Sequence, residues 1–341
     1  MQKSSLIKIG KRILQIGLPI VILGFFLKFI LGQWNKLIAH PFQWNPWLIA
    51  LAFGGFLLQE LSYGLIWQAV LARLGSRLDL RTSLRIYLAS EFVRYIPGNV
   101  LHVLARILWV GKYGVSRPIA FASMTVELIT KLAAGAFIFA VSLLFWDSIG
   151  IVHTFVGKSF VVVLSVLILL SLLVMLHPRI LGSLLNTALR LLKRSPIALT
   201  LRYSDILLVT LAWCVSWSIA GSAFYILTLA LWPALPIAAL PICIGIYAIA
   251  WDIGFVSFIT PSGLGFREGA IGGLFALSLS MLPLALGPII AVLSRLVSTL
   301  AELVCVSLAY LAGRQQMQAM QQEQLAKAAP QIPIEGGAIR E

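Results

Sequence analysis

Charged residues are scarce in this chain. Only 11% of its 341 residues are Asp, Glu, Lys or Arg, whereas 60% are hydrophobic and the mean hydropathy is +0.97. Residues 206–251 contain no charged side chain, a length sufficient for about two helical membrane spans. This composition excludes a soluble globular domain. Because the apolar runs are continuous and do not alternate with polar residues, a membrane β-barrel is also excluded. The predicted class is an all-α polytopic integral membrane protein.

Acidic residues are scarcer than basic ones. There are 12 Asp and Glu against 26 Lys and Arg, which gives a net charge of +14 and a pI of about 10.1. In a soluble protein this balance would indicate nucleic acid. Here the basic residues crowd the segments between apolar runs, so the positive-inside rule accounts for most of them. We therefore expect anionic lipid headgroups and no nucleic acid as partners.

Cysteines and enzyme signatures are also few. The three cysteines, Cys214, Cys243 and Cys305, lie in predicted spans without CxxC or zinc spacing, so they are interpreted as packing residues and no metal site is predicted. No HExxH, GxSxG, Walker A or DxD-type carboxylate pair is found. The sequence therefore predicts no catalytic residues and no cofactor, and ATP coupling is not encoded in these residues.

Apolar runs predict about eight transmembrane helices, at 13–31, 47–72, 118–146, 156–176, 205–231, 236–258, 266–282 and 285–312. The basic first twelve residues resemble the start of a signal peptide, but no small-x-small cleavage site follows, so an uncleaved first span is expected. The Lys and Arg asymmetry places both termini and the loop 177–204 in the cytoplasm, with 32–46 and 147–155 outside. The predicted location is the inner or plasma membrane.

The segment 82–116 does not fit a simple crossing. It is apolar, yet Arg85 lies near its start and Lys112 and Arg117 near its end. A re-entrant helical hairpin that turns at Pro97-Gly98-Asn99 keeps both flanks cytoplasmic. The alternative is an amphipathic pair on the cytoplasmic surface. Beyond the last span, 314–341 is expected to be a cytoplasmic tail; 314–327 can continue the helix, and 330–341 is expected to be disordered.

A second Pro/Gly break reads Thr260-Pro-Ser-Gly-Leu-Gly-Phe-Arg-Glu-Gly269. Pro261 ends the preceding helix, while Gly263 and Gly265 permit close backbone approach. A new helix then starts with Arg267 and Glu268 in its first turn. Its free N–H groups, its dipole and the arginine together predict an anion site, with lipid phosphate as the natural anion. The alternative is a cytoplasmic turn whose arginine merely faces headgroups.

The first break carries a polar stripe on an apolar segment. Asn99, His102 and Arg106 recur at spacings of three and four and share one face of the following helix, while Glu91 and Arg94 can pair before it. Charge inside a membrane segment indicates function. The alternative is a surface helix with its polar face in water.

The spans that follow the two breaks also carry charge. Glu127 and Lys131 are four apart, and Arg295 and Glu302 are seven apart, so each pair shares a face. Asp252 and Glu60 have no local partner, and an unpaired acid should meet an arginine in the protein interior. The available partners of these acids are Arg106, Arg267 and Arg295, and we expect Asp252 or Glu91 to lie within contact range of one of them across a central cavity. Because each half holds an acid, a break, an arginine and a span of mixed charge, the sequence predicts a weak two-fold internal repeat.

Two groups of residues resemble a known family. They are Tyr95-Ile-Pro97-Gly98-Asn99-Val-Leu-His102 with Arg106, Gly114, Ala120, Ser123 and Glu127, and later Pro261-Ser-Gly263-Leu-Gly265-Phe-Arg267-Glu268-Gly269. They look like the lysylphosphatidylglycerol synthase transmembrane-region family, also called the flippase-like domain family, over roughly residues 10–312. The resemblance implies a single flippase-like transmembrane domain over 1–313. In bifunctional members this region is associated with moving aminoacylated phospholipid between leaflets, and a soluble domain makes that lipid. These residues contain no such synthase domain, so lysyl-lipid synthesis is not expected.

The predicted function is translocation of an anionic phospholipid or lipid-linked headgroup. Arg106 and Arg267 would hold phosphate, and the acids would tune these arginines or bind a cationic headgroup. One alternative is a membrane transferase acting on a polyprenyl-linked substrate, with Asp252 or Glu91 as base. Another is a non-transporting partner that anchors or regulates a separate lipid or glycan synthase. The substrate-binding residues predicted are Glu91, Pro97, Gly98, Asn99, His102, Arg106, Glu127, Asp252, Pro261, Gly263, Gly265, Arg267, Glu268 and Arg295.

Overall fold

A computed structural model describes residues 42–91, 101–148, 158–191, 201–257, 263, 265–279, 283 and 286–328. These residues form α-helices and two short 3-10 turns, without a strand among them, which confirms the all-α class. The helices are α1 (Pro46–Arg73), α2 (Leu80–Glu91), α3 (Leu101–Gly111), α4 (Arg117–Ser142), α5 (Lys158–Met175), α6 (Pro178–Leu191), α7 (Tyr203–Leu231), α8 (Leu240–Val256), α9 (Phe266–Ser278) and α10 (Leu286–Ala328).

Capping residues fix where the long helices begin. Before α1, the side-chain oxygen of Asn45 accepts hydrogen bonds from the backbone N–H groups of Trp47 and Leu48, at 3.1 and 3.3 Å. Proline occupies the first position, where no intrahelical N–H bond is needed. At α7, the Asp205 carboxylate accepts from the backbone N–H of Arg202 at 3.1 Å. These local bonds satisfy helix ends that would otherwise expose donors at the edge of the membrane.

Five helical segments are long and apolar enough to cross a membrane. They are Pro46–Arg73, Arg117–Trp146, Tyr203–Leu231, Ile237–Val256 and Leu286–Leu311. The predicted spans 47–72, 118–146, 205–231, 236–258 and 285–312 coincide with them to within about two residues at each end. A sixth candidate combines Ser159–Met175 with Pro178–Leu191, which are bent by 67° at the junction. This chain is therefore a polytopic membrane protein.

The count of eight spans is not confirmed. The predicted span 13–31 lies outside the described residues. The predicted span 266–282 is instead the 13-residue helix α9, which is about 20 Å long and too short to cross a hydrocarbon core of about 30 Å. The predicted span 156–176 contains α5, which continues through the bend into α6. At 266–282 the prediction differs from the structure because hydropathy alone does not distinguish a half-length helix from a full span.

The segment 82–116 forms two short helices, α2 and α3, of 12 and 11 residues. They pack against each other, and α2 also contacts α1 and α10 while α3 contacts α4. The predicted turn at 97–99 lies outside the described residues. The described parts of these helices are about 18 and 17 Å long, shorter than a hydrocarbon core of about 30 Å. A hairpin inside the bundle fits this packing, and its re-entry into the membrane stays a prediction.

The core is centred on α1, α4, α7 and α8, which pack against one another. Trp67, Trp213 and Trp217 are almost fully buried there. The outward faces are apolar as well. On α5, large side chains such as Leu167, Leu170 and Val174 are more than half exposed, as expected for a surface solvated by lipid. Thus α9 lies between α8 and α10, and the short helices surround one side of the core.

The last helix continues well beyond its membrane segment. α10 has 43 residues and is about 65 Å long, roughly twice the thickness of the hydrocarbon core. The expectation that 314–327 continues this helix is confirmed. The cytoplasmic location of this end and the disorder of 330–341 stay predictions.

Candidate functional site

A pocket with an empty volume of about 1130 Å³, counting the part open to its surroundings, lies among helices α1 to α4 and α8 to α10. Its described wall contains as many basic as acidic side chains. Such a wall can bind opposite charges at different points. The charged lining residues are Arg106, Lys131, Arg267, Arg295, Glu60, Glu91, Glu127 and Glu302.

Arg106 of α3 is the centre of a buried ion cluster. Its guanidinium donates to Glu91 Oε1 at 2.5 Å and to Glu127 Oε2 at 2.7 Å. Its Nε donates to Ser90 Oγ at 2.9 Å. Glu127 Oε1 in turn accepts from the Tyr87 hydroxyl at 2.7 Å, and the guanidinium carbon lies 3.9 Å from the Tyr87 ring centroid. These charge-assisted bonds join α2, α3 and α4. Arg106, at their centre, is only 1% exposed.

This cluster bears on two predictions. Glu91 was expected to lie within contact range of an arginine, and its bond to Arg106 confirms it. The polar face of α3 was open to two interpretations, and Arg106 points into the protein instead of into water. However, all three guanidinium nitrogens of Arg106, namely Nε, Nη1 and Nη2, already donate hydrogen bonds to protein groups. A phosphate could reach this guanidinium only after an ion pair had opened, so its role as a phosphate ligand stays a prediction.

Lys131 of α4 occupies a cage of aromatic rings. Its ammonium lies 3.7 Å from the ring centroid of Tyr63, 4.1 Å from Trp251, 4.9 Å from Trp213 and 5.8 Å from Trp217. Cation–π attraction is strongest where water is excluded, and Lys131 is only 4% exposed. Since the rings belong to α1, α7 and α8, the cage holds the lysine where these helices meet α4.

Asp252 is not among the residues that line the pocket, although its neighbour Trp251 is. It is 7% exposed, and its Oδ1 has no hydrogen-bond partner within the described part of the chain. The charge that acts on it is the Lys131 ammonium, not one of the expected arginines. Gly135 makes room for the carboxylate, since a Cβ at this position would lie 2.3 Å from Asp252 Oδ2. The expected arginine partner is therefore observed for Glu91 and not for Asp252.

Glycines let the second break approach α8 closely. Gly263 has a φ of +66°, and a Cβ there would lie 2.3 Å from the carbonyl oxygen of Gly254. Gly265 has a φ of +87° and directly precedes α9. Its backbone N–H donates to Glu268 Oε2 at 2.7 Å, which caps the helix. Both positive φ values favour glycine. The predicted close backbone approach is confirmed at Gly263, whereas a Cβ at Gly265 would meet nothing within 4 Å.

Two arginines flank this helix start. Glu268 Oε1 accepts from Arg295 of α10 at 2.8 Å, which leaves the Glu268 carboxylate bonded on both oxygens. Arg267 lines the pocket, and its guanidinium carbon lies 4.8 Å from the Tyr247 ring centroid. Its Nε and Nη2 are buried without a hydrogen-bond partner among the described residues. Arg267 thus retains donors for a ligand.

Several predicted site residues cannot be placed. Pro97, Gly98, Asn99 and Pro261 lie outside the described residues, and for His102 only its position in α3 is described. The predicted repeat stays a prediction. In each half, however, the helix after the break is ion-paired to the next span, through Arg106–Glu127 and through Glu268–Arg295 with the charges reversed.

Sequence reasoning missed the aromatic residues of the site, namely Tyr63, Tyr87, Trp213, Trp251 and Tyr247. In a hydropathy profile they count as apolar core residues. A signal was present at Trp213 and Trp217, which are four apart and therefore share one helix face. Across the described ranges, His, Cys, Asp and Glu side chains form no group of three that could hold a metal ion. The three cysteines are buried and unpaired, as packing residues are.

A sequence model of the family described as "Lysylphosphatidylglycerol synthase TM region" matches residues 12–305. The chain belongs to this family. The match covers both breaks, both ion clusters and the lysine cage, so the pocket lies inside the family region. A comparison with curated proteins gives no match. As a member of the lysylphosphatidylglycerol synthase TM region family with several candidate membrane helices, the chain is a lipid-related membrane protein.

Proposed function

We propose that this protein binds the phosphate of a phospholipid or lipid-linked headgroup in the central pocket and moves it across the membrane. One observation carries the proposal. Arg267 lines the pocket with two buried guanidinium nitrogens that have no hydrogen-bond partner in the described ranges. A buried donor without a partner is costly, and a bound phosphate would satisfy it. A guanidinium can also donate two parallel bonds to phosphate oxygens.

The position of Arg267 strengthens this assignment. It is the second residue of α9, where the helix dipole and the first N–H groups favour an anion. Gly254 lets it lie close to α8, since a Cβ at Gly254 would approach Arg267 Cβ to 3.1 Å. The neighbouring Glu268 directs its carboxylate oxygens elsewhere, to Arg295 and to the Gly265 N–H.

Translocation is supported by the shape of the surrounding helices. The pocket is lined by the short helices α2, α3 and α9 together with longer spans. Interrupted helices in both halves of a membrane protein are typical of transport sites. A headgroup crossing the bilayer needs an enclosed polar path while its acyl chains remain in lipid. The apolar outer faces of the bundle and the charged lining of its pocket provide these two environments.

The transferase alternative has less support. Its base would have to reach a substrate in the pocket, but Asp252 is not among the lining residues and Glu91 Oε1 is held by Arg106 at 2.5 Å. No observation favours a purely anchoring or regulatory role, which would not need unsatisfied donors in a polar cavity.

The test is leaflet-resolved translocation of labelled anionic phospholipid in proteoliposomes. Arg267→Ala should reduce movement by about tenfold to a hundredfold, because a hydrogen bond to a charged group contributes about 1.5–3 kcal/mol. Arg267→Lys should rescue only partly, since it loses the two-pronged contact. Arg77→Ala is the matched control, because Arg77 is exposed and lies outside the pocket. Arg73 is less suitable, since it forms an ion pair with Asp205 at 3.4 Å. Equal effects of the changes at Arg267 and Arg77 would refute the assignment.

A further inference from the structure

Asp252 differs from the other acids whose contacts are described above. Both oxygens of Glu127 and both oxygens of Glu268 accept hydrogen bonds from named protein groups. Asp252 Oδ1 accepts none from the described residues, although the side chain is only 7% exposed. A proton could therefore be added to Oδ1 without breaking a bond that is already present. At Glu127 or Glu268 the same proton would disrupt an ion pair.

The charges around Asp252 come from few directions. From α4, the Lys131 ammonium acts on it electrostatically, and Gly135 lies against its carboxylate. α7 also packs against α8, but its residues 206–231 carry no charged side chain. α9 contributes Arg267, whose guanidinium lies over the ring of Tyr247. Tyr247 precedes Asp252 by five residues in α8. From α1, Tyr63 and Glu60 line the adjacent pocket. The 3-10 turn Leu143–Ser148, which also contacts α8, contributes Asp147 in its sequence.

Lys131 does not depend on Asp252 alone for stabilisation. Its ammonium is held by the faces of Tyr63, Trp213 and Trp251, within 3.7 to 4.9 Å of the ring centroids. Aromatic faces stabilise a cation without forming a salt bridge. The lysine can thus remain charged whether the carboxylate is ionised or protonated. The net charge of the pair then changes between zero and plus one beside the pocket.

We propose that Asp252 is the proton-binding site of a proton-coupled lipid translocator. A proton from water adds to Oδ1 of the carboxylate to form the neutral acid, and the same proton leaves when the pocket opens to the other side. No other covalent bond changes. The added positive charge beside the pocket favours the anionic headgroup, and its loss favours release. This inference rests on the proposed translocation and adds its driving ion.

The first experiment measures proton binding without any transport. Infrared difference spectra of the purified protein, recorded as the pH is changed, should show a protonated-carboxyl band. Asp252→Asn should remove this band, while Asp205→Asn, the same change at the end of α7, should retain it. A band that persists in Asp252→Asn, or that is absent from the unchanged protein, would overturn the proton site whatever the protein transports.

The second experiment measures coupling in proteoliposomes with an imposed pH gradient. If one proton moves with each lipid, a gradient of about one pH unit should shift the final leaflet ratio by up to about tenfold. Asp252→Asn should make this ratio independent of the gradient, and Asp252→Glu should restore part of the dependence. Lipid movement by the unchanged protein that ignores the gradient would refute the inference and leave the proposed function standing. Absence of any lipid movement would refute the proposed function and coupling with it.

Discussion

Removal of Arg106 should destabilise the fold more than it weakens ligand binding. The guanidinium is 1% exposed and bonds to Ser90, Glu91 and Glu127 at 2.5 to 2.9 Å. In Arg106→Gln both buried glutamates lose their bond to this guanidinium. Breaking a buried ion pair by removing one partner costs about 3–5 kcal/mol. Because two carboxylates lose the same partner, we expect a loss near the upper end of that range.

Substitution of Glu127, a partner of Arg106, provides a comparison for the loss of stability in Arg106→Gln. Glu127→Gln should cost less, about 1.5–3 kcal/mol, because Arg106 keeps Glu91 and the new amide oxygen can still accept from Tyr87. In the double variant Arg106→Gln with Glu127→Gln, only the Glu91 carboxylate, and not that of Glu127, remains charged after the loss of the guanidinium. Its cost should therefore fall below the sum of the single costs by about 1–3 kcal/mol.

The assay is the free energy of unfolding in mixed micelles titrated with a denaturing detergent, combined with binding of anionic phospholipid to the folded fraction. A loss of less than about 1 kcal/mol in Arg106→Gln, or strictly additive costs, would refute the view that this cluster joins α2, α3 and α4. If stability were unchanged but lipid binding were lost, Arg106 would be a phosphate ligand, as the sequence analysis expected.

Two further predictions concern the second break and the topology. Gly263→Ala should destabilise the protein by about 2–5 kcal/mol, because the new Cβ would clash with α8 and because alanine is strained at this left-handed φ. Gly269→Ala is the control and should be nearly neutral, since a Cβ there meets open space. Thermal unfolding measures both effects. Cysteines introduced at Lys36 and Arg194 should react with impermeant reagents from opposite sides of the membrane, since the Lys and Arg asymmetry places these loops apart; reaction of both from one side would contradict the predicted orientation.

Much of the architecture could be predicted because it depends on local composition. Continuous apolar runs gave the long spans within about two residues, since a span must satisfy its backbone bonds internally. The helix α9 could not be distinguished from a full span in this way. Its start is set by Gly265 and by the Glu268 cap, and the helix packs between α8 and α10; hydropathy records none of these.

The charged half of the site was more predictable than its aromatic half. A lone buried charge is so costly that Glu91 had to find a cation, which leaves few choices in a chain with so little charge. Tyr63, Trp213 and Trp251 carry no such requirement. They come from three helices, and only the fold brings them around Lys131. The expected arginine partner of Asp252 could not be predicted correctly for the same reason. Its distance to each cation depends on how α4 and α8 pack, which the sequence alone does not show.

The unbroken length of α10 has a mechanical consequence. Arg295 is ion-paired to Glu268 at the pocket, and the same helix continues without interruption to Ala328. The separation along the axis is about 50 Å. A rigid rod of that length converts a tilt of a few degrees at the ion pair into a displacement of several ångströms at its far end. A fluorescent or spin label near Ala328 would therefore act as a pointer, reporting from outside the bilayer whether the helix start at Gly265 has shifted against its neighbours.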